Sequence, residues 1–336
     1  MDKFHIGKIE IDKPAFLLSP MEEVSDRAFR MLCKENGADI TISEFAASDA
    51  LIRDVEMTKK KLQFDERERP FGIQIFGNQE TVMVEAAQIA ASYQPDFIDI
   101  NWGCPVKKIV GKGGGSGMLQ NPGLLVKITA AIVKAVPLPV TVKTRLGWDD
   151  NNKIIVNLAQ KLQDAGIAAL SIHGRTRAQM YRGNADWTLI GAVKQNPLIH
   201  IPIFGNGDIV SAKGARQAID NYHVDGVMIG RGSIGNPWIF AQAKSLIFHG
   251  KELPLPTIKE RLDMCKHHLQ LALQYKEEHY AIINMQKHYK TYFKDIDHFK
   301  EYRIKLMTAS HLDEIYHLFD EIEEKFCTTK TEKDAN

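Results

Sequence analysis

The 336-residue sequence has only four cysteines, Cys33, Cys104, Cys265 and Cys327, far apart and with no Cys-x-x-Cys pair. That spacing excludes a disulfide framework and a cysteine zinc site; it fits a reducing cytosol, so a cytoplasmic location and no bound metal are expected. No apolar run is long enough to span a bilayer, and the polar start at Met1-Asp2-Lys3-Phe4 carries no secretory signal, so no membrane partner is expected. An excess of charge of one sign is also lacking: 43 Lys and Arg face 42 Asp and Glu, for a net charge of +1. Global attraction to nucleic acid is thereby excluded, and any basic surface has to be local. No early Gly-x-Gly-x-x-Gly separates a first strand from its helix, which disfavours a doubly wound open sheet.

What the chain does have is alternation. Short apolar strands are predicted at residues 15–19, 40–45, 71–76, from Ile98, and at 140–145, 169–173, 201–204 and 226–229, each followed by a helical pattern. Ser25-Asp26 caps the first helix and Gly37 ends it. Eight such units in about 250 residues predict an α/β fold, a (β/α)8 TIM barrel. A hairpin strand over residues 6–11, turning at Asp12-Lys13-Pro14, precedes it. Composition changes near residue 245. Leu253-Pro254-Leu255-Pro256 reads as a linker, and residues 257–325 are helical throughout. The expected organisation is a barrel domain at 1–245, an all-α helical-bundle domain of three or four helices at 246–327, and a polar disordered tail at 328–336.

One stretch organises the rest: Ile98-Asp99-Ile100-Asn101-Trp102-Gly103-Cys104-Pro105, followed by the glycine-rich Lys112-Gly113-Gly114-Gly115-Ser116-Gly117. The first part alternates at period two, as a half-buried strand does, and Pro105 stops the ladder. A thiol therefore sits at the first bend after a strand. The glycines suit a mobile loop over a ligand. A small buried cysteine at a tight turn is the plainer alternative.

Barrel active sites form at the C-terminal ends of strands, and the unusual residues fall there. In order they are Pro20 and Met21, Ser43 and Glu44, Gln74, Asn101 and Cys104, Lys143 and Arg145, His173 to Arg177, Asn206 to Asp208, and Gly230 to Gly232. Gly205-Asn206-Gly207 and Gly230-Arg231-Gly232 follow the seventh and eighth strands, where barrels commonly hold phosphate on backbone N–H groups, and Arg231 adds charge. Tight βα turns would need the same glycines. Lys143, among Gln74, Asn101 and His173, faces an anion or forms a structural pair with Glu44. His173 serves a ligand or the fold.

These motifs resemble the tRNA-dihydrouridine synthases, closest to the bacterial B-type members. The shared stretches are Ser19-Pro20-Met21, Gln74-Ile75-Phe76-Gly77, Asp99 to Pro105, Lys143-Thr144-Arg145, Ile172 to Thr176, Asn206-Gly207-Asp208 and Met228 to Arg231, with Lys287-His288-Tyr289 in the helical region. The resemblance implies an FMN-dependent, NADPH-using reduction of the uracil C5–C6 double bond in the tRNA D-loop; a monomer is expected, with the oligomeric state left open by the sequence. It implies Cys104 as proton donor. Pro20, Met21, Glu22, Gln74, Lys143, His173, Asn206, Gly207, Asp208, Gly230 and Arg231 would hold the flavin, with Lys143 near its N1–C2=O edge. Asn101 would contact the uracil. Lys107, Lys108, Lys112, Arg145, Arg175, Arg177, Lys287 and Lys290 would meet the RNA, with Tyr289, Tyr292, Phe293 and Tyr302 as stacking surfaces. Glu22-Glu23 stands where many relatives have Ala-Gly, and Trp102, where many have Met, offers a further stacking ring. Two other functions remain open on the sequence: a flavin barrel acting on a free pyrimidine, as dihydroorotate dehydrogenases do, and an RNA-binding barrel without catalysis.

Overall fold

The computed structural model describes residues 2–327, so the expected tail at 328–336 lies outside the described residues. The chain opens with an antiparallel hairpin of β1 (Lys3–Ile6) and β2 (Ile9–Asp12). The turn falls at Gly7-Lys8, where Gly7 has φ +61°, and not at Asp12-Lys13-Pro14. The expected strand at 6–11 is therefore two strands, because a glycine in the left-handed region folds the chain back earlier.

The barrel follows. Its strands are β3 (Ala15–Leu18), β4 (Thr41–Ile42), β5 (Ala46–Ala47), β6 (Phe71–Phe76), β7 (Phe97–Trp102), β8 (Val140–Arg145), β9 (Ala169–His173), β10 (Ile203–Asn206) and β11 (Gly226–Ile229). All pair in parallel, in the order β3-β11-β10-β9-β8-β7-β6-β4, with β5 also on β6. A parallel bridge from Leu17 to Ile40 closes the ring. The second of the eight strand positions is broken at residues 43–45. There the Gln74 N–H donates to the Ser43 hydroxyl at 2.9 Å, so a side chain replaces a ladder carbonyl. The seventh strand starts two residues later than expected, after Pro202, which has no N–H to donate.

Two apolar cores result. One lies inside the barrel's lower end, where Phe4, Ile6 and Ile11 of the hairpin meet Ala15, Ile40, Phe97, Ala169 and Phe204. The Phe4 and Phe204 rings lie 5.4 Å apart, so the hairpin plugs the end opposite the strand termini. The other core lies between the barrel and its helices and continues into the C-terminal region.

That region has four helices, Ile258–Tyr275, Glu278–Tyr292, Lys300–Thr308 and Leu312–Ile322, ending in a turn at Glu323–Cys327. A Thr257–Glu260 capping box starts the first. The helix Ile239–His249 runs through residue 245, so the barrel's last element extends beyond the expected boundary. The bundle is not a separate core: Phe29, Leu32 and Cys33 of the helix Arg27–Glu35 join Cys265, Leu269 and Tyr292 in one cluster. Tyr289, Tyr292 and Phe293 are fully buried and Tyr302 nearly so, so the rings expected to stack on bases instead fill this core. Burying each such ring contributes about 1.5–3 kcal/mol, which explains their inward placement.

Candidate active site

A cavity of about 890 Å³ opens at the C-terminal ends of the barrel strands. That volume suits a drug-sized ligand or a cofactor. Pro20, Met21 and Glu22 follow β3, and Asn101 and Cys104 close β7. Lys143 and Arg145 end β8, and His173 ends β9. Asn206, Gly207 and Asp208 follow β10, and Gly230 and Arg231 follow β11; all of these line the cavity.

Cys104 is held by an ordered turn. The Asn101 carbonyl Oδ1 accepts the N–H groups of Gly103 at 2.9 Å and Cys104 at 2.8 Å. Its Nδ2 donates to Gln74 Oε1 at 2.8 Å, and Gln74 Nε2 donates to Asp99 Oδ2 at 2.6 Å. Asp99 also accepts from the Thr141 hydroxyl at 2.5 Å. Burial pushes the Asp99 carboxyl up to about 6 against these hydrogen bonds and the nearby Lys143. On the other side, the Cys104 carbonyl accepts from Ser116 twice, from its N–H at 3.0 Å and its hydroxyl at 2.8 Å.

The glycine-rich segment is therefore not the loose lid that its composition suggests. Residues Lys107–Val110 form a helical turn, and Gly115–Gln120 a 3-10 turn with Gly115, Ser116 and Gly117 buried. Gly115 has φ +56°, and a Cβ there would lie 2.8 Å from the Cys104 carbonyl. Glycine serves close approach here, which composition alone does not distinguish from mobility. Asn78 fixes the segment further by donating to the Lys112 carbonyl at 2.5 Å.

The Cys104 side is 9% exposed, and burial pushes its thiol up from the ordinary range, opposed by Arg145 and Lys143. The thiol is protonated at neutral pH. The field around the cavity is positive. Burial first, then Arg145, Lys143, Arg175 and Arg231, hold the His173 imidazole far below its usual range, so the ring is neutral. Lys143 is pushed down to about 8 by burial and by Arg145, and its ammonium donates to Asn206 Oδ1 at 3.3 Å. Its partner is thus Asn206 and not Glu44, whose carboxylate instead accepts the Glu23 N–H.

The turns after β10 and β11 form a cradle. Gly207 has φ +127°, and a Cβ there would come within 2.6 Å of Ala185. Asp208 accepts from Arg175 Nη2 at 2.7 Å and from the Ala185 N–H at 2.8 Å, and pairs with Arg231 at 3.2 Å. Arg231 is thereby positioned while its head stays half in solvent.

A family model described as dihydrouridine synthase (Dus) matches residues 17–330. The chain belongs to the dihydrouridine synthase family. Among its relatives, the "Probable tRNA-dihydrouridine synthase" of Rickettsia conorii is 38% identical over 299 residues, 89% of each chain. The "tRNA-dihydrouridine synthase B" of Pseudomonas aeruginosa is 39% identical over 88% of this chain and 89% of that one. The protein of that name from Shewanella oneidensis is 37% identical over 94% of this chain and 98% of that one. Among solved structures, histamine dehydrogenase from Rhizobium sp. 4-9 superposes with a TM-score of 0.54 at 11% identity, covering 80% of this chain. A 2-naphthoyl-CoA reductase complex superposes at 0.55 and 13% identity, covering 74%. This chain spans about half the length of each, and the likeness shows the barrel fold alone.

Within this dihydrouridine synthase family member, several residues read from the sequence sit elsewhere than expected. Gln74 is fully buried and lies behind Asn101, not on the cavity wall. Arg175 is 2% exposed, with its guanidinium held by Asp208 and the carbonyls of Arg182 and Gly183, so it braces the site and does not reach solvent. Arg145 lines the cavity, yet it also donates to the carbonyls of Gly103, Thr176 and Met180. Arg177 lies over the Trp148 ring at 4.6 Å. Trp102 is fully buried and donates to Thr129, so it offers no stacking surface. Lys107, Lys108, Lys112 and Lys290 are exposed, and Lys108 also lines the cavity. Lys287 donates to the Glu23 carbonyl.

Three contributors were missed. Asp99 had a signal: it is an acid inside an apolar strand, in register with Asn101. Ser116 was quoted only as part of the glycine run. Tyr181, at the cavity rim with Arg231 5.0 Å above its ring, carries no local sequence signal. No helix among the described residues is long and apolar enough to cross a membrane.

Proposed function

We propose that this chain is a tRNA-dihydrouridine synthase that uses FMN and NADPH to reduce the C5–C6 double bond of a D-loop uridine. The observation that carries the reading is one cavity that brings together a protonated, backbone-anchored thiol and the basic side chains of Lys143 and Arg145. The three relatives named above are called tRNA-dihydrouridine synthases, which supports tRNA as the substrate.

The residues present fit a flavin mononucleotide. The Gly207 and Gly230 turns with Arg231 offer backbone N–H groups and a fixed cation to a phosphate. Lys143, lowered by burial to about 8 and bonded to the Asn206 amide and not to a carboxylate, suits the polar edge of a ring system that gains negative charge. Met21 and the neutral His173 complete the pocket. Bound and reduced, the flavin supplies the hydride that uracil C6 accepts.

The chain's own residues do the rest. Cys104 Sγ holds the proton that C5 needs. Burial keeps that proton on sulfur at neutral pH, while Arg145 and Lys143 favour the thiolate left behind. Asn101 fixes the turn through its Oδ1, and its remaining amide hydrogen is free to address the base. A stacked uridine is out of reach, so it must be flipped into the barrel mouth. Lys107, Lys108, Lys112 and Lys290 lie on the outside, where phosphates would pass, and Arg177 is half-buried over the Trp148 ring.

The test is a half-reaction. Protein loaded with FMN and reduced by NADPH without oxygen should be reoxidised by tRNA that lacks dihydrouridine, and not by free uridine or orotate. Reoxidation by the free pyrimidine, and none by tRNA, would move the assignment to a small-molecule flavin enzyme.

A further inference from the structure

One wall of the cavity, Met21 and Glu22, belongs to the turn between β3 and the helix Arg27–Glu35. The turn is tightly bonded. Val24 and Ser25 donate their N–H groups to the Met21 carbonyl at 3.1 and 2.9 Å, and the Met21 N–H donates to the Ser25 hydroxyl at 2.7 Å. Glu23 has φ +60°, a left-handed conformation that a glutamate keeps only when its surroundings hold it.

Both backbone groups of Glu23 are held from outside the turn. Its N–H donates to Glu44 Oε1 at 2.5 Å. Its carbonyl accepts from the ammonium of Lys287 on the helix Glu278–Tyr292. Just beyond, Asp26 Oδ2 accepts from Lys276 Nζ and Asn284 Nδ2, each at 2.6 Å, while its Oδ1 caps the following helix at Phe29. Asn284 and Lys287 are three apart, so both lie on one helix face, and that face is turned to the cavity wall. The C-terminal helices thus grip the active-site turn at two successive points. The bond holds the Lys287 ammonium against the turn.

We infer that Lys287 is a positioning residue of the active site, through which the helical region sets the conformation of the Met21–Glu22 wall. The contact stands whatever the cavity binds; its consequence for cofactor affinity rests on the flavin reading above.

Hydrogen–deuterium exchange of the full chain tests this without any ligand. The readout is the amides of Met21, Glu23, Val24 and Ser25. In Lys287→Met they are expected to exchange about tenfold faster, the size one charge-assisted hydrogen bond confers, while amides of β7 and β8 keep their wild-type rates. Lys287→Arg should restore slow exchange, and Lys213→Met, on a remote exposed lysine, should leave it unchanged. If Lys287→Met does not fold, Lys287→Gln, with a shorter-reaching donor, gives the same local comparison. FMN affinity measured by flavin fluorescence should fall about tenfold in Lys287→Met, with the salt dependence of tRNA binding unaltered. Wild-type exchange in the turn would overturn the inference. So would a tRNA salt slope smaller by about one with the turn intact, the mark of a phosphate contact. Faster exchange in the turn of a protein that binds no FMN would uphold the positioning role and refute only the flavin reading.

Discussion

The barrel mouth and the C-terminal helices both carry basic residues, and the two sets are built differently. At the mouth, Lys143 and Arg145 line one cavity and Arg175 braces it, each held by named acceptors. Burial first, and then their summed field, hold His173 neutral. On the helices, Lys290 and Lys300 stand in solvent and Lys305 pairs with Glu301 at 2.8 Å. Charge in low dielectric acts on its neighbours, whereas exposed charge is screened within about 10 Å at ordinary salt. On the proposed function, the first set serves the chemistry and the second a diffuse attraction to a polyanion.

The comparison can be broken most sharply at Cys104. Cys104→Ala should lower tRNA reduction about 10²- to 10⁴-fold, with stability changed by no more than about 1 kcal/mol and with FMN and tRNA affinities kept. Turnover at the wild-type rate in that variant would remove the general acid from the mechanism. Next comes Lys143. Lys143→Met should weaken FMN binding about 10- to 100-fold. The wild-type pH profile sharpens this: burial and Arg145 depress Lys143 to about 8, and a bound anion favours its charged form. FMN affinity is thus full below about pH 8 and falls as pH rises through it, and the Met variant should lose that fall. A flat wild-type profile by fluorescence titration would exclude Lys143 as a cofactor contact.

A smaller effect is expected one hydrogen bond behind the wall. Asn101→Ala leaves the N–H groups of Gly103 and Cys104 without their acceptor, at a cost of about 1–3 kcal/mol in urea unfolding. The smallest belongs to the helices. Lys290→Ala should lower tRNA affinity by about threefold or less and reduce the salt slope by about one, with kcat unchanged.

Much of this was legible in the sequence because period and punctuation carry it. Strand–helix alternation locates all eight barrel positions, and Asp26 and Gly37 mark helix ends that the structure keeps. The cavity-lining residues at strand ends were legible for the same reason, since a parallel barrel puts every strand terminus on one face. What stayed hidden depends on packing between distant segments. Glycine composition at 113–117 reads as freedom, yet Gly115 is fixed by the Cys104 carbonyl pressed against it. Arg175 reads as a surface base, yet Asp208, far along the chain, draws it inside. Tyr289 and Tyr292 read as rings beside lysines, yet they complete a core begun by Phe29 and Cys33.

The central claim is that this cavity transfers two hydrogens to uridine in tRNA with Cys104 as the acid. Mass spectrometry of tRNA lacking dihydrouridine, after incubation with FMN, NADPH and either the wild-type protein or Cys104→Ala, tests it most directly. The expected result is a gain of two hydrogens on a D-loop fragment with the wild type and almost none with the variant. An unchanged tRNA mass with active, flavin-loaded wild type, or an equal gain with both proteins, would contradict it.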